Sequence, residues 1–290
     1  MNINTNNSAL TLAVIAGFGL LGSAPALSLE WMDNAISLRY GTAFAEPYNP
    51  QHIDKAIAAF THASGTAYGN NFLNIDVLHS DSKDPKAPAA SAGAQETYLV
   101  YRHTLDLGKV TGQALAFGPL RGLGLTAGFD LNHKEDAGYN SRKRMWVAGP
   151  TLKFAVPGFL DLSLLALWES NAPQNKFAGT PRLSRYHYDS HPMLNLAWGI
   201  PVTAGSLSFS FEGFANFIAA KGRDEFGNPT AAETNIDMQA MFDIGSVAGL
   251  AKGKLRAGLE YQYWRNKFGN PASVTGSSAH TPMIRLDYHL

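Results

Sequence analysis

Four groups of residues in this chain have types and spacings suited to chemistry. His187, Asp189 and His191 alternate along one short segment. All three can ligate a metal, but a tetrahedral site needs a fourth ligand and none is in view, so a polar loop or rim is the better reading. Gly122-Leu123-Gly124 has glycines spaced as in a phosphate loop, yet no helix follows to complete one. A lipid-facing hydrolase needs a Ser–His pair with an orienting polar partner. No such pair stands out at apolar-face positions; His103 comes nearest, and its place beside Tyr101 suits interfacial packing. The fourth group is Glu212, Phe214 and Asn216, which share one parity of a single alternating segment. An aromatic ring among polar side chains offers a stacking face for a planar solute, and the amide and carboxylate offer hydrogen bonds to it. That chemistry is reversible binding, with no enzyme activity, metal or cofactor expected.

The element that must position this group is the stretch Leu207 to Phe217. Leu207, Phe209, Phe211, Ala215 and Phe217 alternate with Ser208, Ser210, Glu212 and Asn216. Successive side chains of a strand point to opposite faces, so the segment has one face for hydrocarbon and one for water. The same period recurs throughout: Ile36, Leu38 and Tyr40 against Ser37 and Arg39; Leu123 to Leu131 against Gly122 to Asn132; Leu160 to Trp168 against Asp161, Ser163 and Glu169; Ile284 to Leu290 against Arg285, Asp287 and His289. With weaker segments near Lys55 to Ala63 and Gln95 to Asp106, about twelve strands result, an even number as bacterial barrels require. Long polar connections such as Glu46 to Asp54, Asp81 to Ala94 and Ser170 to Tyr188 alternate with short ones such as Pro157-Gly158. This places the termini on the periplasmic side, although Leu107 to Leu120 is long for a periplasmic turn.

Composition narrows the class. The 290 residues contain no Cys, which removes zinc ribbons and disulfides, and 23 basic residues balance 23 acidic ones, which leaves no basic patch for nucleic acid. Ala9 to Ser23 forms an apolar run followed by Ala24-Pro25-Ala26 and Leu27-Ser28, read as a signal peptide over 1–26, cleaved after Ala26 or Ser28, although Met1 to Ser8 carries no Lys or Arg. Residues 27–290 then form one domain. No later run is long enough for a helical span, a test to which a barrel is invisible.

A soluble sandwich shares the alternation but has no need of Tyr40, Tyr101, Trp146, Trp168, Tyr263 and Tyr288 near strand ends, where they make an aromatic girdle. The expected fold is therefore all-β: a single closed antiparallel transmembrane β-barrel of about twelve strands in the bacterial outer membrane. Its lumen face carries Asp76, Glu96, Asp130, Asp161, Glu169, Glu212, Asp237, Asp243, Glu260 and Asp287 against Arg39, Arg102, Lys153, Arg256 and Arg285. Such an excess of carboxylates disfavours phosphate and favours a neutral solute. Arg142-Lys143-Arg144 at an outer rim suits lipopolysaccharide phosphate.

Three segments add a family. Ala-Phe-Gly-Pro-Leu-Arg at Ala116 to Arg121, Gly-Phe-Ala-Asn-Phe from Gly213, and Gln-Tyr-Trp-Arg-Asn from Gln262 resemble, in this order, the nucleoside-specific outer-membrane channel family, the Tsx-like proteins. The resemblance implies a monomeric twelve-stranded barrel with a narrow nucleoside-binding lumen, with Phe214 as a base contact and Phe44 as another channel aromatic. Phe44 follows the parity of Ile36 and Leu38, so it reaches the lumen only through a bulge. Parity alone adds Phe72 and Trp264, and Asp130, Arg102 and Arg256 complete the candidate set. Two stacking contacts with a few hydrogen bonds give about −4 to −6 kcal/mol, weak enough for release. A channel for another small solute, or a structural or adhesive barrel, shares every fold signal.

Overall fold

Segments with a two-residue period become strands here, and twelve of them are long. They are β1 Leu29–Phe44, β2 Ile53–Thr66, β3 Gly69–Ser80, β4 Gln95–Asp106, β5 Leu120–Glu135, β6 Arg142–Phe154, β7 Phe159–Asn171, β8 His191–Ala204, β9 Leu207–Ile218, β10 Glu233–Asp243, β11 Leu255–Arg265 and β12 Ala279–His289. The computed structural model describes residues 29–85, 93–205 and 207–290; the expected signal segment and part of the connection from Asp81 to Ala94 lie outside the described residues. Each strand pairs antiparallel with the next, and β12 pairs with β1 through Leu38↔Leu286 and Arg39↔Arg285, which closes the barrel. A two-residue strand, Tyr186–His187, extends the outer end of β7.

The distribution of side chains is inverted relative to a soluble protein. Leu38, Leu125, Leu164, Leu259 and Ile284 are exposed on the outside, while Ser37, Thr151, Glu260 and Thr281 are buried inside. Trp146, Trp168, Tyr40 and Tyr288 are exposed among the outward apolar residues. An apolar exterior around a polar interior, with every strand paired on both edges, is a membrane-spanning barrel of the bacterial outer membrane. No helix of the described residues is long and apolar enough to cross a membrane.

The long connection after β4 has its own explanation. Its first part is a short helix, α1 Leu107–Thr111, capped by Asp106, whose side chain accepts from the Lys109 amide, and closed by Gly112 in the left-handed region. Lys109 Nζ donates to Glu30 Oε2 at 2.5 Å, which ties α1 to the N-terminal end of β1.

Two features of the inner face depart from simple alternation. The register of β1 against β2 slips between Gly41 and Phe44, and this bulge turns Phe44 inward, where it is 4% exposed against Ile53, Ile57 and Met283. A second apolar cluster, Val147, Leu165, Leu167 and Met193, lies on the inner face of β6 to β8, on the opposite wall. The lumen face is thus polar with two apolar patches.

Leu259 stands mid-strand on β11 and is 67% exposed on the lipid side. Leu259→Arg is expected to destabilise the barrel by about 2–4 kcal/mol, read from reversible urea unfolding in lipid vesicles.

Candidate functional site: the lumen

Strand parity and register place all the candidate side chains on the interior, but in two different environments. Phe214, mid-strand on β9, lies between Ala197 on β8 and Asp237 on β10. Ala197 is small, which leaves space beside the half-buried ring. Asn216 Oδ1 accepts from Asn195 Nδ2 at 2.7 Å, and Glu212 pairs with Arg256 while accepting from Gln239 Nε2 at 3.0 Å. Asn235, cross-strand from Asn216, has a buried Oδ1 with no hydrogen-bond partner among the described residues. A buried acceptor without a partner is costly, and a hydroxyl or amino group of a solute would satisfy it.

The opposite wall repeats this arrangement. Phe72 on β3 faces Arg102 on β4, and β3 lies six strands from β9 in the closed order. Phe72 is 42% exposed although it points inward, so water reaches the lumen at this level. Arg102 pairs with Asp130, which also accepts from Tyr98 Oη at 2.6 Å. Each wall therefore sets an aromatic ring beside an ion pair.

Between these walls runs a network of charges. Arg39 bonds both Asp76 and Glu260, the latter at 3.1 Å, and Arg285 donates to Glu260 at 3.0 Å and to Asp287 at 2.8 Å. Pairing of this kind is the only economical way to hold ions where water is scarce, because a lone buried charge costs several kcal/mol.

Phe44 and Trp264 belong instead to the outer mouth. Lys55 Nζ lies 5.6 Å from the Phe44 ring centroid. Trp264 Nε1 donates to Glu233 at 2.5 Å, and the Phe268 ring packs edge-on at 5.1 Å. Both rings are engaged by the protein. Phe268, in the connection between β11 and β12, and Asn266 before it adopt left-handed backbone without being glycine. This lets the loop dip inward, where Lys143 Nζ of β6 sits 3.3 Å from the Phe268 centroid and bridges the mouth.

Glu46 ties the loops together. It accepts from Lys55 at 2.6 Å and Lys267 at 3.1 Å and lies 3.8 Å from Lys134, which donates to Asp84 at 2.9 Å. On the other side Glu169 takes both bonds from Lys221 at 2.8 Å, and Glu225 accepts from Tyr188 at 2.5 Å and Asn171 at 2.9 Å.

Two expectations change with this geometry. Lys55, Lys134, Lys143, Lys221 and Lys267 add cations to the interior and Glu46, Asp84, Glu225 and Glu233 add carboxylates, so the charges near the mouth are paired and the lumen is less one-sidedly acidic than parity alone suggests. The run Arg142-Lys143-Arg144 does not act at the rim as a whole, because strand alternation turns Lys143 inward and leaves both arginines exposed. The parity signal for Lys143 is present in the sequence; the inward loops that carry Glu46, Lys267 and Phe268 have no period to read. Among the described residues no cluster of three or more His, Asp or Glu is suited to a metal.

No family model matches the chain, and no curated protein is similar to it in sequence. Among solved structures it is similar in outline to the KdgM porin, at 9% identity over 88% of this chain and 98% of that one, with a TM-score of 0.38. It is also similar to the translocator domain of the autotransporter NalP from Neisseria meningitidis, at 11% identity over 89% and 88% with a TM-score of 0.49, and to Pseudomonas putida OprB, at 7% over 90% and 94% with a TM-score of 0.32. These similarities extend to a barrel architecture and carry no role to this chain.

The loop clasp has a pH signature. Burial alone pushes the Glu46 carboxyl up, but Lys134, Lys267 and Lys55 outweigh it and hold it well below its ordinary value of 4.5. A depressed carboxylate stabilises the fold fully above that value and loses its contribution as the pH falls through the lower folded one. The outer loops are therefore expected to resist proteolysis at pH 4.5 and above and to become cleavable only in stronger acid. Glu46→Gln leaves buried ammonium groups facing one another and is expected to cost about 3–5 kcal/mol in urea unfolding.

Proposed function

We propose that this barrel is a passive, substrate-binding diffusion channel of the outer membrane, monomeric, with nucleosides as its favoured solute. The observation that carries the reading is the pair of stations on opposite walls, Phe214 with Glu212–Arg256 and Phe72 with Arg102–Asp130. A planar base stacks on the rings, and the sugar hydroxyls suit the amides of Asn195 and Asn216 and the unpartnered Asn235 carbonyl oxygen. Binding this shallow favours entry without blocking exit. Trp264 and Phe44 serve the mouth in this reading, since their rings are already covered. Arg142 and Arg144, turned outward at the rim, suit lipopolysaccharide phosphate.

A second reading rests on the bridge between Lys143 and Phe268 and on the charge network through Arg39, Glu260 and Arg285. If these span the lumen fully, the barrel is structural.

Single-channel current of the refolded protein, titrated with adenosine, thymidine, ribose and AMP, separates the two. Saturable block by nucleosides but not ribose is expected, weakened about 5- to 150-fold by Phe214→Ala or Phe72→Ala. Conductance indifferent to nucleosides removes the solute assignment, and the AMP arm reports whether the interior lysines admit phosphate. Absence of current that Phe268→Ala restores identifies the mouth bridge as a plug.

A further inference from the structure

The outward face of β1 to β4 breaks the apolar rule. Even positions of β2 face outward, with Ala56 and Ala58 exposed there, and His62 and Ser64 share that parity. His62 Nε2 lies 3.0 Å from Ser64 Oγ, and His62 Nδ1 lies 2.8 Å from Asn34 Oδ1 on β1. An amide oxygen only accepts, so Nδ1 carries the ring proton and the Nε2 lone pair faces the serine hydroxyl. This is the tautomer a general base needs. On the other flank, Asn71 Nδ2 of β3 points at Ser64 Oγ from 3.4 Å. Asn71 is held in that sense by its own oxygen, which accepts from Tyr101 Oη at 3.0 Å and from His103 Nδ1 at 2.9 Å. His103 is thus part of a polar chain, not a packing residue. The Ser–His pair that is inconspicuous in the sequence is assembled from an i, i+2 spacing on one strand and an amide on each neighbour.

Six polar side chains gathered on the outward face toward the periplasmic strand ends carry a desolvation cost where they meet lipid. Hydrogen bonds among them reduce the cost, but apolar residues would avoid it altogether. We propose that Ser64, His62 and Asn34 form a lipid-facing acyl-ester hydrolase site, with Asn71 as the oxyanion donor and glycerophospholipid as the substrate. Ser64 lies near the periplasmic end of β2, and the periplasmic leaflet of an outer membrane is phospholipid, which selects that lipid over lipopolysaccharide. Ser64 Oγ attacks an ester carbonyl and its proton passes to His62 Nε2; the carbonyl oxygen takes the Asn71 amide hydrogen. Collapse breaks the ester C–O bond, and His62 returns the proton to the leaving lysolipid alkoxide. Water, activated by the same imidazole, then hydrolyses the acyl-serine to fatty acid and restores the hydroxyl. Asn34 is a positioning residue. Ser64 is 1% exposed, and its cross-strand neighbours on this face are the side chains of Met32 and Asn71, so the hydroxyl is reached by side-chain movement.

The test uses the full chain refolded into vesicles of phosphatidylethanolamine and phosphatidylglycerol, with a fluorophosphonate probe and labelled acyl chains. The expected result is one covalent adduct, mapped to Ser64, and fatty-acid release that falls at least about 10³-fold in Ser64→Ala and in His62→Asn. Folding of each variant is checked by heat-modifiable migration. Asn34→Asp, which sets a carboxylate against the imidazole, is expected to move the acid limb of the pH profile upward, whereas a merely structural Asn34 leaves that limb in place. A folded wild-type barrel that neither takes the probe nor releases fatty acid overturns the proposal. In a parallel assay with vesicles containing lipopolysaccharide, release from lipopolysaccharide with none from phospholipid overturns the phospholipid assignment.

Discussion

Hydrocarbon has no hydrogen bonds to offer, so every backbone N–H and C=O of the wall must be paired within the sheet. That requirement organises the whole structure. It forbids an open edge, so β12 must return to β1, and it makes the number of long strands even when both termini lie on one side. It also leaves the side chains alone to tell the two solvents apart. Each strand then needs an apolar set for lipid and a polar set for the lumen, and the period of two follows from the pleat.

Once the polar set is inside, its charges face one another across a confined space. Arg39, Asp76, Glu260 and Arg285 are paired because a single ion there would be far costlier than a pair, and the same logic gathers three lysines around Glu46. These pairings do different work at different heights. Near the outer end they draw loops inward and engage Phe44, Trp264 and Phe268 at the mouth. On the walls below, Phe214 and Phe72 keep ring surface turned to the lumen. The aromatic residues inside the barrel therefore separate into those the protein covers and those whose rings stay open to the lumen.

The exterior obeys the opposite economy, and the chain Asn34–His62–Ser64–Asn71 stands out against it. A hydrogen-bonded line running across neighbouring strands is a geometry that a β-barrel supplies readily, since cross-strand side chains on one face sit side by side. The wall can thus carry a polar line on its outer face that shares no residue with the lumen side chains of its inner one.

Alternation from Ile36 to Leu290 was enough to determine the strands, the face each side chain takes and the lumen residence of Glu212, Phe214, Asn216, Phe72 and Trp264, because parity is local and the pleat admits no exception within a regular strand. Phe44 shows where that reasoning stops: its inward turn depends on a bulge between Gly41 and Phe44, and one inserted residue reverses every later side chain. Loops have no period, so Glu46, Lys267 and Phe268 entered the lumen only in the folded chain. Register decided the rest. Phe214 and Phe72 stand on opposite walls because β3 and β9 lie half a barrel apart, and His62 meets Asn34 because β1 and β2 pair one way and not one residue over. Composition and period determine which solvent a residue meets; only the closed sheet determines which residues meet one another.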